Sequence, residues 1–254
     1  MAFDPNGASV LITGGSSGIG LGLATRFMAA GAKVMITGRD AARLELVQRD
    51  HPGMLARRSD LGDEQARVDL AAHVAEVLPD LDIVINNGGI QRRVGLAADV
   101  APWSERQEEI DILLAAPVHL NHLLIPALLK SGRPSMIANV SSGGAFIPQV
   151  FAPVYSACKA AIHSYTMTLR EALKDTSCRV VEIIPPAVRT NLGGAAPHGA
   201  PLDAFCDAIF EGFTAGEDQI GFGPTRSPEF LDAAKPYAAM FRQSADRANV
   251  RGYG

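Results

Sequence analysis

The stretch Thr13-Gly14-Gly15-Ser16-Ser17-Gly18-Ile19-Gly20 decides the fold. It follows a short apolar run, Ala8–Thr13, and opens an amphipathic segment, Ile19–Ala30, with apolar residues at three- and four-residue spacing. The period thus changes from that of a buried strand to that of a helix. Glycines at 14, 18 and 20 permit positive φ and let a ligand approach the backbone. The N–H groups of a helix's first turn have no partner inside the helix and favour anions. Strand, glycine-rich turn and helix in this order form a seat for the pyrophosphate of a dinucleotide, with Ser16, Ser17 and Ile19 in it.

Outward from this turn the same alternation continues. Lys33–Thr37, Leu81–Asn86, Ser135–Val140 and Arg179–Ile184 are short and rich in Val, Ile and Leu, as strands buried on both faces are. Ala41–Arg49, Asp63–Leu78, Ala101–Lys130 and Val154–Asp175 carry helical periodicity, with Gly31 placed as a C-terminal glycine and Asp40 as an N-cap. Strands alternating with helices predict an α/β fold, a Rossmann-type doubly wound parallel sheet with helices on both faces in three layers. After Thr190 the rhythm breaks. Asn191–Pro201, rich in Gly, Ala and Pro, predicts a mobile loop; a helix near Leu202–Ala215 and a short strand near Gln219–Phe222 follow. With no repeat and no long linker, residues 1–254 are expected to form one domain.

Composition narrows the classes. The 254 residues carry 23 Lys+Arg against 27 Asp+Glu, a net charge of −4, which offers no electrostatic footprint for nucleic acid or anionic lipid. Three scattered cysteines, Cys158, Cys178 and Cys206, make neither a disulfide framework nor a zinc site and suit a reducing, cytoplasmic compartment. The N-terminus lacks a secretory pattern. Ile112–Leu129 runs without a formal charge but holds two prolines, two histidines and Asn121, so a buried or interfacial helix is expected rather than a membrane span.

The second strand ends Thr37-Gly38-Arg39. An NAD site places Asp or Glu near that point to hold the ribose 2′-OH. Here Gly38 takes the acid's place and Arg39 follows, able to neutralise a 2′-phosphate, so NADP(H) is expected over NAD(H). Tyr155-Ser156-Ala157-Cys158-Lys159 puts Tyr155 and Lys159 four residues apart on one helix face. A phenol titrates near 10, and a close ammonium would stabilise its phenolate. Ser142 follows a strand at the sheet's carboxyl edge, where ligands bind in such sheets. The three side chains together suit polarising a carbonyl and delivering a proton to it.

Taken together these residues resemble the short-chain dehydrogenase/reductase family, in its single-domain branch, over roughly Ala8 to Phe222. Thr13–Gly20 resembles the family's TGxxxGxG turn, and Asp60-Leu61 the pair that holds adenine. Asn86-Asn87-Gly88-Gly89 is similar to its NNAG motif, with Gly88 in the alanine position. Ser142, Tyr155 and Lys159 match its catalytic serine, tyrosine and lysine. Pro185-Pro186-Ala187-Val188-Arg189-Thr190 matches the segment against the nicotinamide, with Thr190 implied at the carboxamide; its Pro-Pro is similar to the DltE-like subgroup. The resemblance implies hydride transfer between nicotinamide and a carbonyl or alcohol, with Tyr155 as proton donor or acceptor and Ser142 on the substrate oxygen. Lys159 is implied to lower the tyrosine pKa and bind the ribose. It also implies a small-molecule substrate and a homodimer or homotetramer.

One departure stands out. The family carries an asparagine in the fourth helix that kinks the backbone and holds a water against the lysine. Ile110-Asp111-Ile112-Leu113-Leu114-Ala115-Ala116-Pro117 puts Leu113 there. It is the feature that favours a rival reading, a non-catalytic NADP(H)-binding sensor or scaffold. No metal site is expected: His119 and His122 lack an HExxH pattern, and Cys158 is turned off the Tyr155–Lys159 face. Gln91, Arg92 and Arg93 are expected near the pocket mouth. Phe146, Ile147, Phe151, Leu192 and Phe205 are expected to wall the pocket, which suits an apolar or aromatic ketone or aldehyde.

Overall fold

The computed structural model describes residues 4–130, 132–193 and 198–230. Seven strands form one parallel sheet: β1 (Ser9–Ile12), β2 (Lys33–Gly38), β3 (Leu55–Arg58), β4 (Leu81–Asn86), β5 (Ser135–Val140), β6 (Cys178–Ile184) and β7 (Gln219–Gly221). Their order is β3-β2-β1-β4-β5-β6-β7. The chain winds outward from β1 on one side and from β4 on the other. This is the doubly wound Rossmann arrangement, whose ligand crevice opens between those two strands at their carboxyl ends.

Helices α1 (Gly18–Ala29), α2 (Ala41–Asp50) and α7 (Leu202–Ala215) cover one face. There Phe27, Phe205, Ile209 and Phe213 meet Val10, Ile12, Ile36 and Ile183. Helices α3 (Glu64–Val77), α4 (Trp103–Ile110), α5 (Ala116–Lys130) and α6 (Pro153–Ala172) belong to the other. Leu70, Val74, Leu120, Leu124 and Leu169 pack there on Leu11, Met35, Val84 and Ile137. Odd and even positions of β1 thus feed two separate cores, as a strand buried on both faces requires.

The local signals act as their chemistry dictates. Asp40 caps α2 by accepting from the Arg43 amide at 3.1 Å, and Gly31 turns the chain after α1 at φ +88°. Edge strand β3 carries no apolar run; Leu-Ala-Arg-Arg is half-buried at most and follows no strand periodicity. It pairs with β2 along Met35↔Leu55 to Gly38↔Arg58.

The segment expected as one helix over 101–130 is interrupted. Between α4 and α5, Asp111–Ala115 forms a π-turn closed by the Ala116 amide on the Asp111 carbonyl. Trp103–Lys130 is the one candidate among the described residues long and apolar enough to cross a membrane. Its Leu120, Leu124 and Leu128 are buried in the core, the placement of a helix packed on a sheet. Of the loop expected over 191–201, Asn191–Gly193 forms a 3-10 turn and Val188 bridges Ala200; 194–197 lie outside the described residues.

Candidate active site

The glycine-rich turn is tied down from β4. Thr13 Oγ1 accepts from the Asn87 and Gly88 amides at 3.0 Å each, and Asn87 Nδ2 donates to the carbonyls of Thr13 (2.9 Å) and Gly14 (3.1 Å). The two segments approach so closely that a Cβ on Gly14, at φ +64°, would stand 2.6 Å from Gly88 Cα. Helix α1 then starts behind Ser17, whose side chain makes no cap bond, so its first-turn amides are left for another acceptor. Thr190 lies over this turn, its methyl 3.2 Å from where a Cβ on Gly18 would be. Such a donor set, with a cradle that side chains would fill, fits a pyrophosphate.

At the end of β2 a side chain at position 38 would crowd Ser16. A Cβ on Gly38 would lie 3.0 Å from Ser16 Oγ. Arg39 is exposed and pairs with Glu108 at 2.8 Å, and Arg58 Nε donates to the Arg39 carbonyl at 3.2 Å. The Arg92 and Arg39 guanidiniums hold the Glu108 carboxyl below its usual range. Arg58 and Glu108 escaped the sequence reading, because their closeness to Arg39 arises across strands and across 69 residues of chain. Next along the edge, Asp60 Oδ1 accepts from the Gly62 amide at 2.9 Å. Arg67 donates to the Leu61 carbonyl at 2.6 Å and to His119 Nδ1 at 3.1 Å, which occupies the histidine with packing.

Ser142, Tyr155 and Lys159 converge at the carboxyl end of β5. Ser142 Oγ accepts from the Gly144 amide at 3.0 Å, and its hydroxyl faces Tyr155 closely enough to favour the phenolate. The Lys159 ammonium donates to the Val140 carbonyl at 2.6 Å and stands 5.7 Å from the Tyr155 ring centroid. All three are buried. Burial pushes the Lys159 pKa down to about 8. It pushes the Tyr155 phenol up, with the nearby Ser142 hydroxyl pulling the other way. The net direction for Tyr155 in the free protein is therefore opposite to the lowering expected, because desolvation of the phenolate is the larger influence. Pro185 closes this side by accepting from the Gly143 amide at 2.9 Å, and Val188 packs toward the α1 face.

A glycine-rich anion seat at the β1–β4 crevice, beside a Ser–Tyr–Lys cluster, defines one continuous edge. The family model for short chain dehydrogenases matches residues 8–200. The uncharacterized oxidoreductase DltE of Bacillus subtilis is 36% identical over 219 residues, covering 84% of this chain and 86% of that protein. The chain belongs to the short-chain dehydrogenase family. A 1-deoxy-11-beta-hydroxypentalenate dehydrogenase of Streptomyces avermitilis is 33% identical over 199 residues, 76% of this chain and 74% of its own. A short-chain dehydrogenase from Sphingobium yanoikuyae, solved in complex with NADPH, superposes with a TM-score of 0.80 at 26% identity over 97% of this chain and 98% of its own. Family membership makes the protein an oxidoreductase.

Against its family the short-chain dehydrogenase shows two local departures with physical consequences. Gly88 stands where alanine is usual, and a Cβ there would meet Leu61 Cδ1 at 2.3 Å, so the glycine lets Leu61 lie against the turn. Leu113 keeps the π-turn without an asparagine. It packs with Ala152, Tyr155 and Cys158, and its Cδ2 is 3.1 Å from where a Gly89 Cβ would be. Cys158 is buried there, its thiol pushed up to about 11.

The expected pocket wall needs one correction: Phe205 is wholly buried beneath α1, edge-on to Phe222, and faces no pocket. Phe146 stacks on His163 at 4.5 Å. Ile147, Phe151 and Leu192 remain on the surface, joined by Val150. Gln91 donates to Gln149 at 3.2 Å and Arg93 lies 4.1 Å over the Phe151 ring, so these two border the 147–151 segment, whereas Arg92 turns to Glu108 on α4.

Proposed function

We propose that the protein is an NADP(H)-dependent carbonyl reductase or alcohol dehydrogenase acting on an apolar or aromatic ketone, aldehyde or secondary alcohol. The observation that carries this reading is the convergence of buried Ser142, Tyr155 and Lys159, with the Lys159 ammonium 5.7 Å from the Tyr155 ring centroid, at the edge that holds the anion seat. Gly14, Ser16, Ser17, Gly18, Ile19 and Gly20 would hold the pyrophosphate; Asp60 and Leu61 the adenine; Asn87, Gly88 and Gly89 the inner ribose side; Pro185, Val188 and Thr190 the nicotinamide. A bound nicotinamide supplies or accepts the hydride. Arg39, with Arg58 at its back, supports the 2′-phosphate preference, since Gly38 presents no carboxylate to repel it.

In the reductive direction the Ser142 hydroxyl holds the substrate oxygen and Tyr155 gives it a proton. Because burial raises the phenol, Tyr155 keeps its proton at neutral pH and serves as an acid. The phenolate left behind is stabilised by the Lys159 ammonium, which persists below about pH 8. Reduction rates are therefore expected to fall as pH rises through 8. Ile147, Val150, Phe151 and Leu192, exposed on the segments that follow β5 and β6, favour an apolar substrate by offering surface to bury. We place this enzyme in a reducing cytoplasm, where its buried cysteines stay free, acting as a single-domain subunit of a homodimer or homotetramer.

The test follows nicotinamide absorbance with NADPH and, separately, NADH over apolar and polar carbonyls. Turnover faster with NADPH, best on apolar carbonyls and lost in Tyr155→Phe with cofactor binding intact, is the expected result. Tight NADPH binding without turnover on any carbonyl would overturn it in favour of a binding protein.

A further inference from the structure

A small cavity lies behind Lys159, lined by Thr13, Asn86, Leu113, Asn139, Val140 and Lys159 among others. Its free space, about 10 Å³ for the centre of a water molecule, is that of a single water. A buried water also needs two to four polar partners.

Two are in place. Asn86 is buried, and its Nδ2 donates to Asn121 Oδ1 at 2.8 Å and to Asn139 Oδ1 at 2.9 Å. Those two oxygens fix which end of the Asn86 amide is nitrogen. Its Oδ1 carries no partner among the described residues. An orphaned buried acceptor is costly unless something donates to it. The second partner is the Lys159 ammonium, whose three donors include one spent on the Val140 carbonyl. Leu113 completes the wall from the π-turn, and its side chain offers no polar atom.

We propose that Asn86 Oδ1 and the Lys159 ammonium hold one water between them, making Asn86 the positioning residue for proton return to the site in place of the missing helix asparagine. The water donates to Asn86 and accepts from Lys159. Whenever the lysine nitrogen has given up a proton toward Tyr155, a water O–H breaks as the N–H re-forms, and solvent reprotonates the water. One solvent proton thus enters for each one Tyr155 delivers. This inference rests on the role proposed above for Tyr155 and Lys159.

A crystal structure of the NADP⁺ complex, with kinetics of two variants, tests it. Asn86→Leu removes the acceptor; Ala116→Val fills the cavity from α5 without touching either partner. The expected result is density for a water bonded to Asn86 and Lys159, absent in both variants. In each, kcat falls about tenfold with a larger solvent deuterium isotope effect and unchanged NADPH affinity. Absence of that water in the wild type overturns the proposal. So do variants that keep wild-type kcat, pH profile and isotope effect. Full turnover by Tyr155→Phe would overturn the acid role of Tyr155 instead, while the density would still decide the water site.

Discussion

Lys159→Met tests the cost of keeping a buried ammonium at this site. Burial lowers the Lys159 pKa from 10.5 to about 8, so at pH 7 the folded protein holds a charge that the fold disfavours. At about 1.4 kcal/mol per pH unit, that drop is worth about 3 kcal/mol. Methionine matches the stem in length but leaves the Val140 carbonyl without its 2.6 Å donor, a loss of about 1 kcal/mol. The net is a variant more stable than wild type by about 2 kcal/mol at pH 7. The advantage declines as pH rises. Between about 8 and 10.5 the unfolded chain holds a proton that the folded one has released, so raising pH stabilises the wild type alone. The advantage of the variant should shrink to nearly nothing by about pH 9.5. Urea unfolding of both proteins at pH 7 and 9.5, without cofactor, measures it. A variant less stable at pH 7, or an advantage independent of pH, would refute the reasoning.

Two further substitutions probe the frame around the site. Gly88→Ala drives a methyl into Leu61 Cδ1 and should weaken NADPH binding several-fold with kcat nearly unchanged, read by fluorescence titration; an unaltered affinity would show that Leu61 yields freely. Glu182 is wholly buried on β6, with its oxygens 2.9 and 3.0 Å from His163 Nδ1 and one also 3.1 Å from Gln219 Nε2. Glu182→Ala should cost about 3 kcal/mol in urea unfolding, and a loss under about 1 kcal/mol would show that solvent replaces the carboxylate.

Sequence alone reached the features that short chain segments determine. The glycine-rich turn needs its positive φ at Gly14, and Tyr155 and Lys159 share a face because of helical period; neither depends on the rest of the fold. What depends on packing between distant segments stayed hidden. Strand β3 has no apolar alternation because it lies at the sheet edge, so only its pairing with β2 makes it a strand. Phe205 follows a glycine-rich segment near the expected pocket, yet α7 lies on α1 and turns that ring into the core. Glu108 carries no local sign that it faces Arg39. The π-turn is equally silent, since one extra residue within a long apolar helix leaves its periodicity readable.

The resemblance implies two jobs for an asparagine at position 113, bending the helix and holding a water, and the π-turn bears on each differently. Its shape survives here because Leu113 is wedged among Ala152, Tyr155 and Cys158, so packing holds the helix where an amide usually does. A π-turn carries one residue more than the α-helical ladder accommodates, and such turns gather at functional sites. The polar job is a different matter, since a leucine side chain offers a water no acceptor. The orphaned oxygen on Asn86 sits across the same cavity from Leu113, on rigid central strand β4 rather than on a helix. On the proposal above, an apolar wedge on one wall and a spare amide oxygen on the other supply the two halves separately. Loss of the asparagine at 113 is therefore no argument that catalysis has been lost.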